Sequence, residues 1–382
     1  MRSLLQIHEA YDIEAKKYQS SMIRIFKTGK HSQRTPLSYS ALQTLFLNDL
    51  ELVNAPKEAD VYVFAHSLDI QDAPYDLVDD WHKRQRPIVL LSEEPFWDTI
   101  WTKVPFACMH IIESKWGPLP VHQVTHQTST VFHFDHIPYY LLTNHRFANA
   151  YATRFHRNAA LEPTDWVEKF HASENDVTFM FERRPESYHS VHWPEGDLFG
   201  LCAWRTELAE SVSAGRIERL GHSWSSTTAA RTTLYDWHID KLVTLDGKTR
   251  LMAAFENTHQ PQYITEKIFD AFACGALPAY VANPHHRLHD LDLPEASWIN
   301  LFGMSPQRAA ARLDQLDWKD SQFLEEVASD YTRAQRKLAA IFASPNIWYR
   351  ERLRLRAALL AEFERILDAS HKIPTPRSAL CI

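Results

Sequence analysis

The stretch of residues 251–281 constrains the fold most, because it predicts a strand, a helix and a second strand in close succession. Leu251 to Phe255 is short and apolar, as a buried strand is. Thr265 is placed to cap a helix through its hydroxyl, and Gly275 stands where a helix end favours positive φ. The chain resumes as a strand from Leu277 to Val281. This order predicts an α/β unit with parallel strands.

A charged pair, Glu266-Lys267, opens the predicted helix. The start of a helix carries partial positive charge, so together with the Lys267 ammonium it suits an anion such as a diphosphate. Glu266 is unsuited to phosphate but suits two neighbouring hydroxyls of a ribose. The pair therefore fits one nucleotide that is held at two places. For an isolated Thr-Glu-Lys, a solvated glutamate and a surface lysine are the default interpretation.

Strands and helices alternate along the rest of the chain. We predict strands at residues 22–26, 60–64, 87–91, 107–112 and 177–181. We predict helices at residues 38–52, 75–86, 201–212, 307–316, 323–342 and 349–367. Residues 233–245 show no decisive pattern. The alternation favours parallel sheets, whose ligands lie beyond the carboxyl ends of the strands.

The length of 382 residues suits two domains. Residues 144–176 are polar and irregular, and we interpret them as containing the boundary. The predicted division is residues 1–150 for the first domain, 151–345 for the second, and 346–382 for a C-terminal helix and tail.

Composition excludes several classes of protein. The net charge of −7 argues against a general nucleic-acid binder. No apolar run reaches the roughly eighteen residues that a membrane span needs, and the N-terminal residues resemble no secretory signal, so we expect a cytoplasmic protein. The four cysteines are far apart, and the 21 histidines show no metal-binding spacing, so we predict neither a disulfide framework nor a metal site.

Five short motifs stand out along the chain: Phe255-Glu256-Asn257, Tyr263-Ile264-Thr265-Glu266-Lys267, Pro278-Ala279-Tyr280, Ser297-Trp298-Ile299-Asn300 and His136-Ile137-Pro138-Tyr139-Tyr140. Together they resemble the α-1,3/1,4-fucosyltransferases, glycosyltransferase family ten, in their bacterial form. The resemblance implies a fold of the GT-B type, in which two Rossmann-like domains face each other across a cleft. It also implies an inverting transfer of L-fucose from GDP-fucose to a GlcNAc-type hydroxyl of an acceptor glycan, with an α-1,3 linkage.

The resemblance assigns roles to particular residues. Glu93, in Glu93-Glu94-Pro95, matches the base that takes the acceptor proton, and Glu94 is the alternative. Taken alone, the two glutamates are more simply solvated acids in a turn, and Arg205 a helix cation. By resemblance, Arg205 and Lys267 neutralise the diphosphate. Glu266 would hold the ribose, and Asn257 and Tyr263 would shape the pocket. No metal is required, although stimulation by Mn²⁺ or Mg²⁺ stays open.

The sequence also departs from the family pattern. Only the arginine of the family's Arg-Asn-x-Phe element is present, as Arg205, and Val281-Ala282 replaces the usual Trp-Gly. Two alternatives therefore stay open: a transferase that uses another donor such as GDP-mannose, and a non-catalytic nucleotide- or carbohydrate-binding protein. Arginines at 350, 352, 354 and 356 leave open a peripheral contact with the inner membrane and a lipid-linked acceptor, but they form no single basic stripe.

Overall fold

A computed structural model describes residues 22–99, 104–224 and 234–372. The fold is α/β, with one mainly parallel sheet in each half of the chain. This confirms the predicted class. The arrangement of two domains across a cleft stays a prediction, as do the domain boundaries. Within the described residues, no helix has the length and apolar character to cross a membrane.

The first sheet has six strands in the order β2-β1-β3-β4-β6-β5. They are β1 (Ile23–Lys27), β2 (Leu50–Leu52), β3 (Val61–Phe64), β4 (Ile88–Leu91), β5 (Met109–Ser114) and β6 (Gly117–Val124). All neighbours are parallel except the β5–β6 hairpin. Every residue of β3 and β4 is buried, which explains why both strands are continuous apolar runs. The short helices of this half are α1 (Ser40–Gln43), α2 (Ser67–Gln71) and α3 (Tyr75–Arg84).

The second sheet has five parallel strands in the order β10-β7-β11-β13-β14. They are β7 (Asn175–Met180), β10 (Ile217–Leu220), β11 (Thr249–Ala253), β13 (Leu277–Tyr280) and β14 (Ile299–Asn300). A small antiparallel sheet beside it contains β8 (His192–Trp193), β9 (Leu198–Gly200) and β12 (Thr258–His259). The helices of the second half are α7 (Cys202–Ser211), α8 (Trp237–Leu245), α9 (Lys267–Ala273) and α10 (Pro306–Asp314).

Five further helices join the two halves. They are α4 (Tyr139–Leu142), α5 (His145–Ala159), α6 (Pro163–Ala172), α11 (Ser321–Phe342) and α12 (Pro345–Lys372). The final helix α12 returns to the first half. There Glu351 accepts hydrogen bonds from the backbone N–H groups of residues 135–137, and Arg356 pairs with Asp49. The predicted apolar face of this helix, formed by residues 355, 359, 363 and 366, is fully buried.

Three predicted elements were wrong. Residues 144–176, which we predicted to be irregular, are mostly the helices α5 and α6. The predicted helix at 38–52 is a four-residue helix followed by strand β2, because residues 50–52 pair with β1. Thr265 does not cap α9: Glu266 is the N-cap residue, and the Thr265 hydroxyl instead donates to the Glu256 carboxylate. The predicted tail at 373–382 lies outside the described residues.

Candidate functional site

Loop residues that follow strands of the first sheet contact loop residues of the second half of the chain. Glu94 follows β4 of the first sheet, and its Oε2 accepts a hydrogen bond at 3.2 Å from the hydroxyl of Tyr263 in the second half. The ring of His126, which follows β6, packs edge-on against Tyr263 with 5.1 Å between ring centroids. The Gln260 side chain donates to the carbonyl of His126 at 3.3 Å. Loops that carry the predicted site residues of both halves are therefore in contact.

Glu256 organises the loop beyond strand β11. Its carboxylate is 2% exposed and accepts hydrogen bonds from the backbone N–H of Thr265 at 2.8 Å and from the Thr265 hydroxyl. Lys267 donates to the same carboxylate at 2.8 Å, and the Tyr280 hydroxyl does so at 3.4 Å. This explains the motif physically, because its Glu, Thr and Lys form one buried hydrogen-bonded unit. The sequence motif alone did not indicate this role of Glu256.

Lys267 is held as a cation beside two carboxylates. Burial opposes its charge, but Glu256 and Glu266 raise the pKa of its ammonium above the usual value. The Glu266 carboxylate lies 3.6 Å from this ammonium. Burial alone would raise the pKa of Glu266, but Lys267 and Lys241 hold it below its usual value. With about a fifth of its side chain exposed, Lys267 is a charged group that an anion can reach.

Arg205 lies on α7 and converges on the same loop. Its Nη1 donates to the carbonyl oxygens of Phe255 at 3.1 Å and Glu256 at 3.3 Å, and its guanidinium stacks over Phe181 at 4.6 Å. The residue is 2% exposed, and burial lowers the pKa of the guanidinium. Among the described residues its Nε has no hydrogen-bond partner. Arg205 and Lys267 therefore meet the same residue, Glu256, from two elements.

The two predicted pocket residues occupy this loop as well. Tyr263 is buried and bridges to Glu94, and burial together with Glu94 raises the pKa of its hydroxyl well above the usual value. Asn257 is half-buried, and its carbonyl accepts a hydrogen bond from the backbone N–H of Leu201, just before α7. These contacts hold the predicted nucleotide-binding residues together around one loop.

Glu93 is oriented by two tyrosines from distant parts of the chain. The Tyr39 hydroxyl donates to Oε1 at 2.7 Å, and the Tyr139 hydroxyl donates to Oε2 at 3.0 Å. The carboxylate is 9% exposed, and burial raises its pKa. Glu94 is more open, with 22% of its side chain exposed, and burial raises its pKa too. Both carboxylates can accept a proton, and they differ in access.

A third carboxylate, Asp98, completes an acidic cluster with Glu93 and Glu94. Its side chain is 3% exposed. Burial raises the pKa of Asp98 to about 8, with Glu94 and Glu93 adding to the shift and Arg34 opposing it. Residues 96 and 97 follow the cluster, and Phe96 is fully buried against Trp193.

The pKa of Asp98 leads to a prediction about stability. The folded protein keeps this proton up to about pH 8, whereas an unfolded Asp loses it near pH 4. The free energy of unfolding therefore falls as pH rises between these values. Because asparagine does not titrate, D98N should gain more than about 1 kcal/mol relative to wild type between pH 5 and pH 9. Urea unfolding of both proteins at pH 5 and pH 9 measures this. A stability difference between D98N and wild type that is the same at both pH values would contradict the raised pKa of Asp98.

A cavity of about 470 Å³ lies beyond the carboxyl ends of β13 and β14. Its walls are mainly apolar and include Phe199, Leu201, Trp204, Val281, Leu301 and Phe302. Its size is typical of a small-molecule pocket. Val281 lines it, so the departure from the family's Trp-Gly pattern changes the wall of this cavity. Among the described residues, no group of His, Cys, Asp and Glu side chains is placed to hold a metal ion.

Comparisons with known proteins agree with the motifs. Residues 217–331 match the model of glycosyltransferase family 10 (fucosyltransferase), C-terminal. The matched region contains Glu256, Tyr263 and Lys267, but neither Arg205 nor the acidic cluster. A comparison with curated protein sequences gave no significant match.

Three solved structures also show some similarity. An α1,3-fucosyltransferase with GDP is 14% identical over 94% of this chain and 95% of that chain, with a TM-score of 0.40. The same type of enzyme with GDP-fucose is 12% identical over 92% of each chain, with a TM-score of 0.39. A third is 12% identical over 94% and 92%, with a TM-score of 0.33. Likenesses of this size do not establish a shared fold. Over residues 217–331, the chain is therefore similar to the C-terminal region of glycosyltransferase family 10, the fucosyltransferase family.

Proposed function

We propose that this chain is an inverting glycosyltransferase that transfers fucose from GDP-fucose to a hydroxyl of a GlcNAc-type acceptor glycan. The observation that carries the proposal is the Glu256–Thr265–Lys267 unit, which lies inside the region that matches the fucosyltransferase family. This unit presents a partly exposed cation beyond the carboxyl end of a parallel strand, where ligands of such sheets bind.

Lys267 and Arg205 would bind the diphosphate of the donor. Because α9 has only seven residues, the attraction rests on these side chains rather than on a helix terminus. Arg205 has an unpaired Nε–H in the described structure, and guanidinium N–H groups suit phosphate oxygens. Glu266 would accept hydrogen bonds from ribose hydroxyls, and its lowered pKa keeps it an acceptor. Asn257 and Tyr263 would shape the surroundings.

The reaction is one displacement at the anomeric carbon of the donor. The acceptor oxygen forms a bond to that carbon, and its proton passes to a carboxylate of the first half. The bond from carbon to the diphosphate oxygen breaks, and its electron pair leaves with GDP. Fixed positive charge at Lys267 and Arg205 stabilises the charge that develops on this leaving group. The family resemblance selects Glu93 as the base, whereas the greater exposure of Glu94 and its contact with Tyr263 favour Glu94.

A thermal-shift panel of nucleotides and nucleotide sugars tests the donor. A ligand that binds only the folded state stabilises it by RT ln(1 + [L]/Kd), or about 2.7 kcal/mol at a hundredfold excess over Kd. We expect GDP and GDP-fucose to raise the melting temperature, and UDP-sugars to leave it unchanged. A larger shift with GDP-mannose would indicate the other donor. No shift with any guanosine nucleotide would contradict the proposal.

The acceptor class is tested separately. Incubation with GDP-fucose and free Galβ-GlcNAc-type oligosaccharides should give product without lipid or membrane. Three of the arginines of α12 have partners within the protein. Arg356 pairs with Asp49, Arg354 pairs with Glu351, and Arg352 donates a hydrogen bond to His145. A lipid-linked acceptor at the cytoplasmic face of a membrane would show itself as transfer only to lipid-bound glycans.

A further inference from the structure

One guanidinium faces all three carboxylates of the acidic cluster. Arg34 Nη1 lies 3.0 Å from Asp98 Oδ1, Nη2 lies 3.6 Å from Glu94 Oε1, and Nε lies 3.8 Å from Glu93 Oε1. A different nitrogen of Arg34 therefore lies nearest to each of the three acids. The planar, multi-donor shape of arginine suits such an arrangement, and the single charged nitrogen of lysine does not.

The loop that carries Arg34 is fixed on both sides. Before Arg34, Asp69 accepts from the backbone N–H of His31 at 2.9 Å, and Gly29 at φ +106° passes so close to Asp69 that a Cβ there would clash. After it, the Ser38 hydroxyl donates to the carbonyl of Ser32 at 2.7 Å. Arg34 is therefore held at the cluster by its loop, and not merely by its own ion pairs.

Other charged and titratable groups also face the cluster. Tyr39 and Tyr139 face Glu93. Tyr263, Lys267 and Glu256 face Glu94. His66 lies 3.7 Å from Asp98. Lys267 is already paired with Glu256. Burial raises the pKa of both Glu93 and Glu94, and Arg34 lowers both. For Glu94 it is the largest opposing influence.

We propose that Arg34 is a positioning residue for the transfer reaction, which fixes the neighbouring carboxylates of Glu93 and Glu94 and keeps the base among them ionised. The inference rests on the proposed function, and it holds whichever of the two glutamates takes the proton. Without Arg34, the two adjacent carboxylates would repel each other, and one would retain its proton to a higher pH. That protonated acid could not accept a proton from the attacking hydroxyl.

The test is the pH profile of kcat/KM for wild type, R34Q and R34K. Loss of a positive charge at this distance should raise the pKa of the base by about one unit or more. The acidic limb of the R34Q profile should move up by that amount. Its activity should be about tenfold below wild type at pH values below both acidic limbs and should approach wild type as pH rises. R34K keeps the positive charge but has one nitrogen instead of three near the acids. The acidic limb of its profile should therefore lie between those of wild type and R34Q.

The control is R24Q, because Arg24 lies on β1, which precedes the loop of Arg34, and it pairs with Asp60, which is not part of the cluster. Its profile should match wild type. A loss in R34Q that is equal at every pH, or an unmoved limb in both Arg34 variants, would overturn the inference. If R34Q does not fold, the R34K profile tests the inference, because an acidic limb of R34K that matches wild type would contradict it. Absence of transfer by wild type would instead contradict the proposed function.

Discussion

Replacement of Lys267 by methionine is expected to lower kcat by about a thousandfold, because the leaving diphosphate then develops its charge without the ammonium that stabilises it. Methionine keeps most of the volume of the lysine stem and removes the charge. Affinity for GDP should fall as well, since the same group contacts the ground-state diphosphate. Single-turnover transfer and calorimetric titration with GDP measure the two effects separately.

The structure shows why K267M alone would be ambiguous. Lys267 pairs with the buried Glu256, so its loss leaves that carboxylate without its cation. Breaking a buried pair in this way can cost about 3–5 kcal/mol of stability. The matched control is E256Q/K267M, which removes both charges of this pair and leaves Glu266 with Lys241 as its remaining cationic neighbour. We expect this double variant to recover much of the stability and none of the activity. Recovery of activity with stability would show that Lys267 has only a structural role.

The second large effect is expected at the glutamate pair. Replacement of the base by glutamine should lower kcat by about a thousandfold, within the usual range for loss of general base catalysis. Each glutamine variant keeps the shape of the side chain, so E93Q and E94Q serve as controls for each other. The variant that loses transfer identifies the base. The Kd for GDP-fucose should stay within about twofold of wild type, because the proposed donor-binding residues lie in the other half and a glutamine at position 94 can still accept the hydrogen bond from Tyr263.

Either glutamate could in principle matter only for folding, and the unfolding midpoint of each variant checks this. Transfer that survives in both E93Q and E94Q would exclude this pair as the source of the base. Loss in both variants with normal stability would mean that the two carboxylates act as a coupled unit. In that case the pKa values obtained from the pH profile describe the coupled pair and not either glutamate alone.

The strands were predictable because buried parallel strands are continuous apolar runs, as in β3 and β4. The helices α5 and α6 were missed because their exposed faces are rich in His, Arg and Asn. Their buried faces did carry a usable signal, since Phe147, Tyr151 and Phe155 recur at intervals of four residues and are buried. Polarity outweighed periodicity in the prediction, and the periodicity was the correct guide.

The site was predictable where its residues are close in sequence. Glu266 and Lys267 stood out as a charged pair, and the structure adds Glu256 as the partner of Lys267, eleven residues earlier. Tyr39 and Tyr139 contact Glu93 across separations of 54 and 46 residues. A single sequence does not reveal pairings over such distances. Tyr139 lies in a motif that resembles the family, and this was the available signal for it.

The most direct test of the account is the product formed from GDP-fucose and a Galβ-GlcNAc-type acceptor, analysed by mass spectrometry and NMR. The account predicts an acceptor that gains one deoxyhexose, with the anomeric configuration opposite to that of the donor and one GDP released for each transfer. The product should be absent with E256Q/K267M. Tight binding of GDP-fucose without any transfer, or a product of retained configuration, would contradict it.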